Sequence, residues 1–279
     1  MKNVSEIINQ GNKNAELPAW LNMRHAWSAN DAKRDEGLAY PDNVIQIKNL
    51  DYKKEPDHQK WCEAVELLAS QRTIGEKTSE KDSRIFYYNE PDDASNPDSE
   101  RYASNSLFDI YYPAEPDAQT TYPVIVSVHG GGWFYGDKEL YSYYCCHLAS
   151  KGFAVVNFNY RLAPQNKYPA AIEDVAYIIH YIHENAGMLH LDMEKFYMLG
   201  DSAGAQLTAN YCIIAGNAAY RNKLDFFTYD RLPKAVCLNC GAYEMYKQEE
   251  NISDWYMKNE DGSYAVSEEQ RKLFLSQLE

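Results

Sequence analysis

The chain has 279 residues, 45% hydrophobic and 24% charged, with 27 basic against 41 acidic residues and a formal net charge of −14. That length accommodates one large α/β domain or two ordinary ones. The acidic balance disfavours phosphate backbones and anionic membranes, so neither nucleic acid nor a membrane surface is an expected partner.

The N-terminal segment MKNVSEIINQGNKNAEL lacks the apolar core of a secretory leader. Apolar runs such as VIV and FAVV are far too short to span a bilayer. The six cysteines (Cys62, Cys145, Cys146, Cys212, Cys237 and Cys240) follow no framework spacing, so a reducing cytoplasm is the expected setting.

Residues 1–82 read as a polar, helix-prone section with no convincing strand. Within it, DHQKWCEAVELLASQ places Trp61, Cys62, Val65, Leu67 and Leu68 on one helical stripe. From residue 83 the pattern changes. SRIFYYNE and SNSLFDIYYP read as an antiparallel strand pair separated by a loop. YPVIVSVHG is a continuous apolar run ending in glycines, as in a buried parallel strand.

A helix is predicted from about 138 to 150, and FAVVNFNY reads as the next strand. YPAAIEDVAYIIHYIHENAG reads as a helix opened near Pro169 and closed near Gly187. KFYMLG is a strand, 202–215 a helix, and KAVCLNCGAY a sixth, buried strand. This alternation predicts an α/β fold with a mostly parallel sheet covered on both faces. Cys237 and Cys240 have C-x-x-C spacing, but no second pair accompanies them, so they read as structural.

Two motifs carry chemistry. Gly200-Asp201-Ser202-Ala203-Gly204 is a G-x-S-x-G between a strand and a helix, the context of a nucleophilic serine on a sharp turn. His129-Gly130-Gly131-Gly132-Trp133 follows a strand directly. Its glycines let backbone N–H groups approach a developing negative charge. No G-K-[ST] follows, so it is not a P-loop.

The order of these motifs, with YRLAPQNKYPAAIEDV between them, resembles the α/β-hydrolase fold and its hormone-sensitive-lipase-like branch of esterases. The resemblance covers about residues 105–215. It implies Ser202 as nucleophile, Gly131, Gly132 and Ala203 as oxyanion hole, and His129 and Gly130 as supporting loop, with His129 not the base. It makes Arg161 structural; Glu173 and Asp174 also read as structural. It further implies a helical N-terminal cap over 1–82 and a catalytic domain over 83–279. The expected substrates are small acyl or acetyl esters, with no cofactor or metal. Gln165 and Ala205 depart from the family pattern without touching the chemistry.

One departure does touch it. In this fold the triad runs Ser, then acid, then His. All seven histidines (His25, His58, His129, His147, His180, His183 and His190) precede Ser202. No later segment reads as a seventh or eighth strand, and neither Asp254 nor Asp261 is assigned as the acid. The expectation is a C-terminally truncated hydrolase with its last two strands missing, weak in its own activity and open to self-association through the sixth strand. The alternatives are a non-catalytic pseudoenzyme acting as a pairing module, and a partner chain that donates the missing strands.

Overall fold

The computed structural model describes residues 27, 30–31, 33–53, 106–113, 120–163 and 166–243. Six strands build one sheet: β1 (Ile45–Asp51), β2 (Leu107–Tyr112), β3 (Tyr122–Val128), β4 (Ala154–Phe158), β5 (Leu191–Asp201) and β6 (Ala235–Asn239). Their spatial order is β1-β2-β4-β3-β5-β6. The β4–β3–β5–β6 pairings are parallel, and β1–β2 and β2–β4 are antiparallel.

A 3₁₀ turn (Lys138–Tyr141) leads into α1 (Ser142–Ala149). The remaining helices are α2 (Ala170–Glu184), α3 (Ala203–Gly216) and the short α4 (Ala218–Arg221). Among the described residues, no helix is long and apolar enough to cross a membrane.

Strand alternation sorts the core into two layers. Phe108, Ile110 and Tyr112 of β2 and Val124, Val126 and Val128 of β3 join Val156 of β4, facing α2 and α3. Tyr111 and Val155 face the other way, onto Cys145, Cys146 and Ala149 of α1. Helix α2 contributes Ile172, Val175, Ile178, Ile179 and Ile182, spaced to keep one face on the sheet. Each such side chain, fully buried, contributes about 1.5–3 kcal/mol before entropy is counted.

Two sequence expectations need correction. The section before residue 83 contains a strand, β1, which belongs to the sheet and is the antiparallel partner of β2. A bulge hides it: the register shifts between Ile47 and Leu50, and Asn49 takes φ 61°. The apolar alternation that marks a strand therefore breaks in its middle. The sixth strand exists and pairs parallel to β5, but it is not buried. It is the outermost strand on its side among the described residues, and Val236 (41%) and Leu238 (37%) are exposed, as are Cys237 and Cys240. The helix expected over 57–71, the strand over 83–90 and everything after 243 lie outside the described residues.

A buried charge cluster ties β1, β2 and β4 to the segment that follows β3. The Lys138 ammonium sits 2.9 Å from Asp109 Oδ1 and 2.7 Å from Glu139 Oε1, and the Asp109 side chain is fully buried. Lys48 bridges the same acids, 2.8 Å from Glu139. Asp109 also accepts from the Asn49 N–H and the Tyr111 hydroxyl. Burial works against the Glu139 charge, but Lys138 and Lys48 hold its carboxyl down at about 2. Asp109→Ala leaves Lys138 inside without its main counter-ion. The expected loss is about 3–5 kcal/mol, read as a lower urea midpoint at unchanged m-value. A loss below about 1 kcal/mol would make the cluster dispensable.

Candidate functional site

Strand β5 ends at Asp201 and α3 starts at Ala203, leaving one residue to reverse the chain. That residue is Ser202, at φ 52° and ψ −116°. For a side-chain-bearing residue this conformation costs on the order of 1–3 kcal/mol and needs support on all sides. The Ser202 N–H donates to the Asn239 carbonyl at the end of β6 at 2.7 Å. The Ser202 carbonyl accepts from the Ala205 and Gln206 N–H groups at 3.1 and 3.2 Å, opening the helix. The Ser202 hydroxyl does not cap that helix.

Gly204 decides how close α3 comes to β3. A Cβ there would lie 2.1 Å from the Val128 carbonyl oxygen, so only glycine lets the helix start seat against the end of the strand. The HGGG loop leaves β3 at that contact. Within it Gly131, at φ 129°, closes a tight turn: its carbonyl accepts from Tyr135 N–H at 2.9 Å, and a Cβ would fall 1.9 Å from the Tyr135 carbonyl oxygen. Trp133, at φ 64°, donates its indole N–H to Gln206 Oε1 on α3 at 3.2 Å, which ties the loop to the first turn of the helix.

His129 is fully buried under this loop. Its Nδ1 lies 2.7 Å from the Gly130 carbonyl oxygen and donates to it as the Nδ1–H tautomer. Its ring stacks on Tyr160 at 4.1 Å, and the Tyr160 hydroxyl donates to the His129 carbonyl at 2.9 Å. Nε2 has no hydrogen-bond partner among the described residues. Burial pushes the imidazole down to about 4, against the Gly130 bond that favours the cation. A neutral ring pinned by its own loop orders backbone and is in no position to shuttle protons.

The sequence-derived residues thus gather in one place. Ser202 and Ala203 open α3, and His129, Gly130, Gly131 and Gly132 form the loop clamped against it. The other described histidines lie elsewhere. His147 is exposed on α1, and His190 sits at the opposite end of β5, 3.1 Å from the Thr120 carbonyl. His180 and His183 lie on α2, where they pack with Phe227 and Tyr229.

None of the described histidines hydrogen-bonds the Ser202 hydroxyl. His25, His58, Asp254 and Asp261 lie outside the described residues. Among the described residues no group of three or more His, Cys, Asp or Glu side chains is placed to hold a metal.

Arg161 pairs with Asp174 (2.8 Å) and Glu173 (2.6 Å), and Lys53 adds a 2.7 Å contact to Asp174, so these residues are occupied with one another on the α2 side of the sheet. Two contacts were not legible in the sequence. The Tyr141 hydroxyl donates to Asp201 Oδ2 at 2.6 Å, and Gln206 receives the Trp133 indole. The only available signal was the position of Asp201 and Gln206 beside the serine.

The sequence profile of the BD-FAE family matches residues 108–272. Over 101 residues the chain is 36% identical to Esterase LipI of Mycobacterium tuberculosis, a match covering 36% of this chain and 32% of that protein. Over 97 residues it is 35% identical to the acetyl esterase of Salmonella paratyphi B, covering 34% of this chain and 29% of that one. The matched segment therefore spans about a third of the length of these curated relatives. Among solved structures, Esterase B from Lactobacillus rhamnosis superposes with a TM-score of 0.62 at 20% identity, covering 99% of this chain and 66% of that one. That likeness bears on the fold, which is the α/β-hydrolase fold.

Two outcomes follow from the site geometry. Gly204→Ala drives a methyl group into the Val128 carbonyl and is expected to cost about 3 kcal/mol, measured by thermal unfolding. Gly216→Ala, whose methyl group would stand 3.7 Å from Leu232, changes stability by less than about 1 kcal/mol.

The buried His129 makes stability pH-dependent with a definite sign. The unfolded chain takes up the proton below about 6.5, whereas the folded protein refuses it until about 4. Stability therefore falls as the pH drops through that window, by up to about 3 kcal/mol from this group. His129→Asn removes this contribution, and an unaltered pH slope in that variant would contradict the assignment.

Proposed function

The chain belongs to the BD-FAE family of α/β-hydrolase-fold proteins, and from that premise we propose that it is a serine carboxylic-ester hydrolase of the hormone-sensitive-lipase-like branch. The observation that carries the proposal is the seating of the strained Ser202 turn against the HGGG loop through Gly204 and the Trp133–Gln206 bond. A serine on a strained strand-to-helix turn beside a glycine-rich backbone loop is the pairing that acyl transfer requires. The names of the relatives, an esterase and an acetyl esterase, favour small acyl or acetyl esters as substrates.

The mechanism places Ser202 Oγ on the ester carbonyl carbon. As that C–O bond forms, the carbonyl electron pair moves onto oxygen, and the N–H groups of Gly131, Gly132 and Ala203 stabilise the oxyanion. Collapse expels the alcohol, which leaves with the proton given up by the Ser202 hydroxyl, and gives an acyl-enzyme that water hydrolyses to the carboxylic acid and free serine. The macrodipole of α3 adds positive potential where the oxyanion forms. Removing one such donor typically costs about 100- to 1000-fold in turnover.

The serine proton needs an acceptor, and the described histidines give it none. Loss of the histidine from a serine triad costs about a million-fold, while oxyanion hole and binding alone retain roughly 1000- to 10000-fold over water. The reading is therefore of a weak esterase. A pseudoenzyme that pairs through its sixth strand is the second reading, favoured by the exposed Val236 and Leu238 on β6.

Hydrolysis of p-nitrophenyl acetate, followed at neutral pH for the wild type and Ser202→Ala, tests the first reading. The expected rate lies slightly above that of the variant and close to background. Robust turnover abolished in Ser202→Ala would overturn the incomplete triad. Rates equal in both proteins, with a concentration-dependent dimer in sedimentation, would favour the pairing module.

A further inference from the structure

Resting on the esterase reading above, we propose that Tyr141 is a positioning residue that locks the glycine loop and the nucleophile turn into one register. Three chain segments meet at its hydroxyl. The hydroxyl donates to Asp201 Oδ2 at 2.6 Å, and Asp201 is the residue immediately before Ser202. The Gly130 backbone packs against the same oxygen, and Gly130 immediately precedes the first oxyanion-hole glycine.

The approach is close on every side. A Cβ on Gly130 would lie 2.9 Å from the Asp201 carbonyl oxygen, 3.1 Å from Asp201 Oδ2 and 3.2 Å from the Tyr141 hydroxyl. One phenol therefore sets the distance between the nucleophile and the donors meant for its oxyanion.

A positioning group must itself be fixed, and Tyr141 is. It ends the 3₁₀ turn whose first residue is the buried Lys138. The Lys138 N–H donates to Asn159 Oδ1 at 2.7 Å, the Lys138 carbonyl accepts from the Asn157 side-chain amide, and its ammonium is held by Asp109 and Glu139. Asp137 caps the turn by accepting from the Glu139 N–H at 2.9 Å. Arg34 donates to the Leu140 carbonyl at 3.2 Å.

The turn is thus bolted to β2 and β4, and Tyr141 carries that rigidity across to Asp201. Burial, and then the bond to Asp201, push the phenol pKa well up, so it remains the donor throughout the working pH range. The Trp133–Gln206 bond clamps the loop on the other side of Ser202. The serine is therefore bracketed by one side-chain bond on each side, at Asp201 and at Gln206.

Tyr141→Phe tests the inference, because it keeps the ring and deletes only the hydroxyl. Two readouts are taken on the intact chain: amide hydrogen exchange over residues 129–136, and the rate of p-nitrophenyl acetate hydrolysis in excess of Ser202→Ala. Loss of a bond to a charged acceptor is expected to speed exchange in that segment about tenfold. A loosened oxyanion loop is expected to bring that small rate down to the Ser202→Ala level. Asp201→Asn, which retains an acceptor for the phenol, should exchange as the wild type does.

Unchanged exchange in Tyr141→Phe, or an unchanged Ser202-dependent rate, would overturn the positioning role. If the wild type hydrolyses ester no faster than Ser202→Ala, the esterase reading falls and the exchange data decide the coupling alone. If Tyr141→Phe does not fold, Asp201→Ala breaks the same bond from the other partner and is read in the same way.

Discussion

The structure depends on a single tight contact, the seating of α3 against the end of β3 at Gly204. A methyl group at that position would stand 2.1 Å from the Val128 carbonyl oxygen. Because none is there, the helix can begin one residue after β5 ends, and Ser202 is forced into a left-handed turn between them. The strain at Ser202 is offset by ordinary bonds: its N–H to Asn239, and its carbonyl to the first N–H groups of α3. The same contact places the HGGG loop beside the serine. Strain, packing and proximity are therefore one geometric fact, and a change at Gly204 disturbs all of them together.

A second constraint acts from the other end of the loop. Lys138 is buried with two carboxylates and a second lysine, an arrangement that is expensive to desolvate and tolerable only because nearly every polar atom is paired. Such a cluster adds little net stability, but it specifies position. It fixes the turn that follows the glycine loop to β1, β2 and β4, the antiparallel side of the sheet. The loop is held between this anchor and the Gly204 contact. His129 fills the space beneath it as a neutral, stacked ring. Among the described histidines none hydrogen-bonds the Ser202 hydroxyl.

Much of this was legible beforehand. G-D-S-A-G after an apolar strand and H-G-G-G after another are short-range signals, because each glycine answers a local steric demand that can be written down without knowing the fold. The α2 stripe was equally plain, since helical spacing is a local property. Strand β1 was missed because its bulge at Asn49 breaks the alternation, and its partner β2 lies far away in sequence. For β6 the sequence supports both a buried strand and an exposed edge, and the structure gives an edge among the described residues. Its residues are apolar enough for a central strand, but burial belongs to the neighbours, and among the described residues β5 is its only strand neighbour.

The sequence by itself determined the local parts: the Ser202 turn, the glycine loop, the order of strands and helices between them, and the placement of every histidine ahead of the serine. These follow from residue type and short spacing, which act over a few bonds. Only the tertiary structure decided how the parts are held together. That the Tyr141 hydroxyl reaches Asp201, that Lys138 finds Asp109 inside the protein, and that His129 is buried all depend on contacts between distant segments. Such contacts exist only once the sheet has brought β2, β3 and β5 side by side, because pairing and desolvation are properties of the assembled core and not of any stretch of chain.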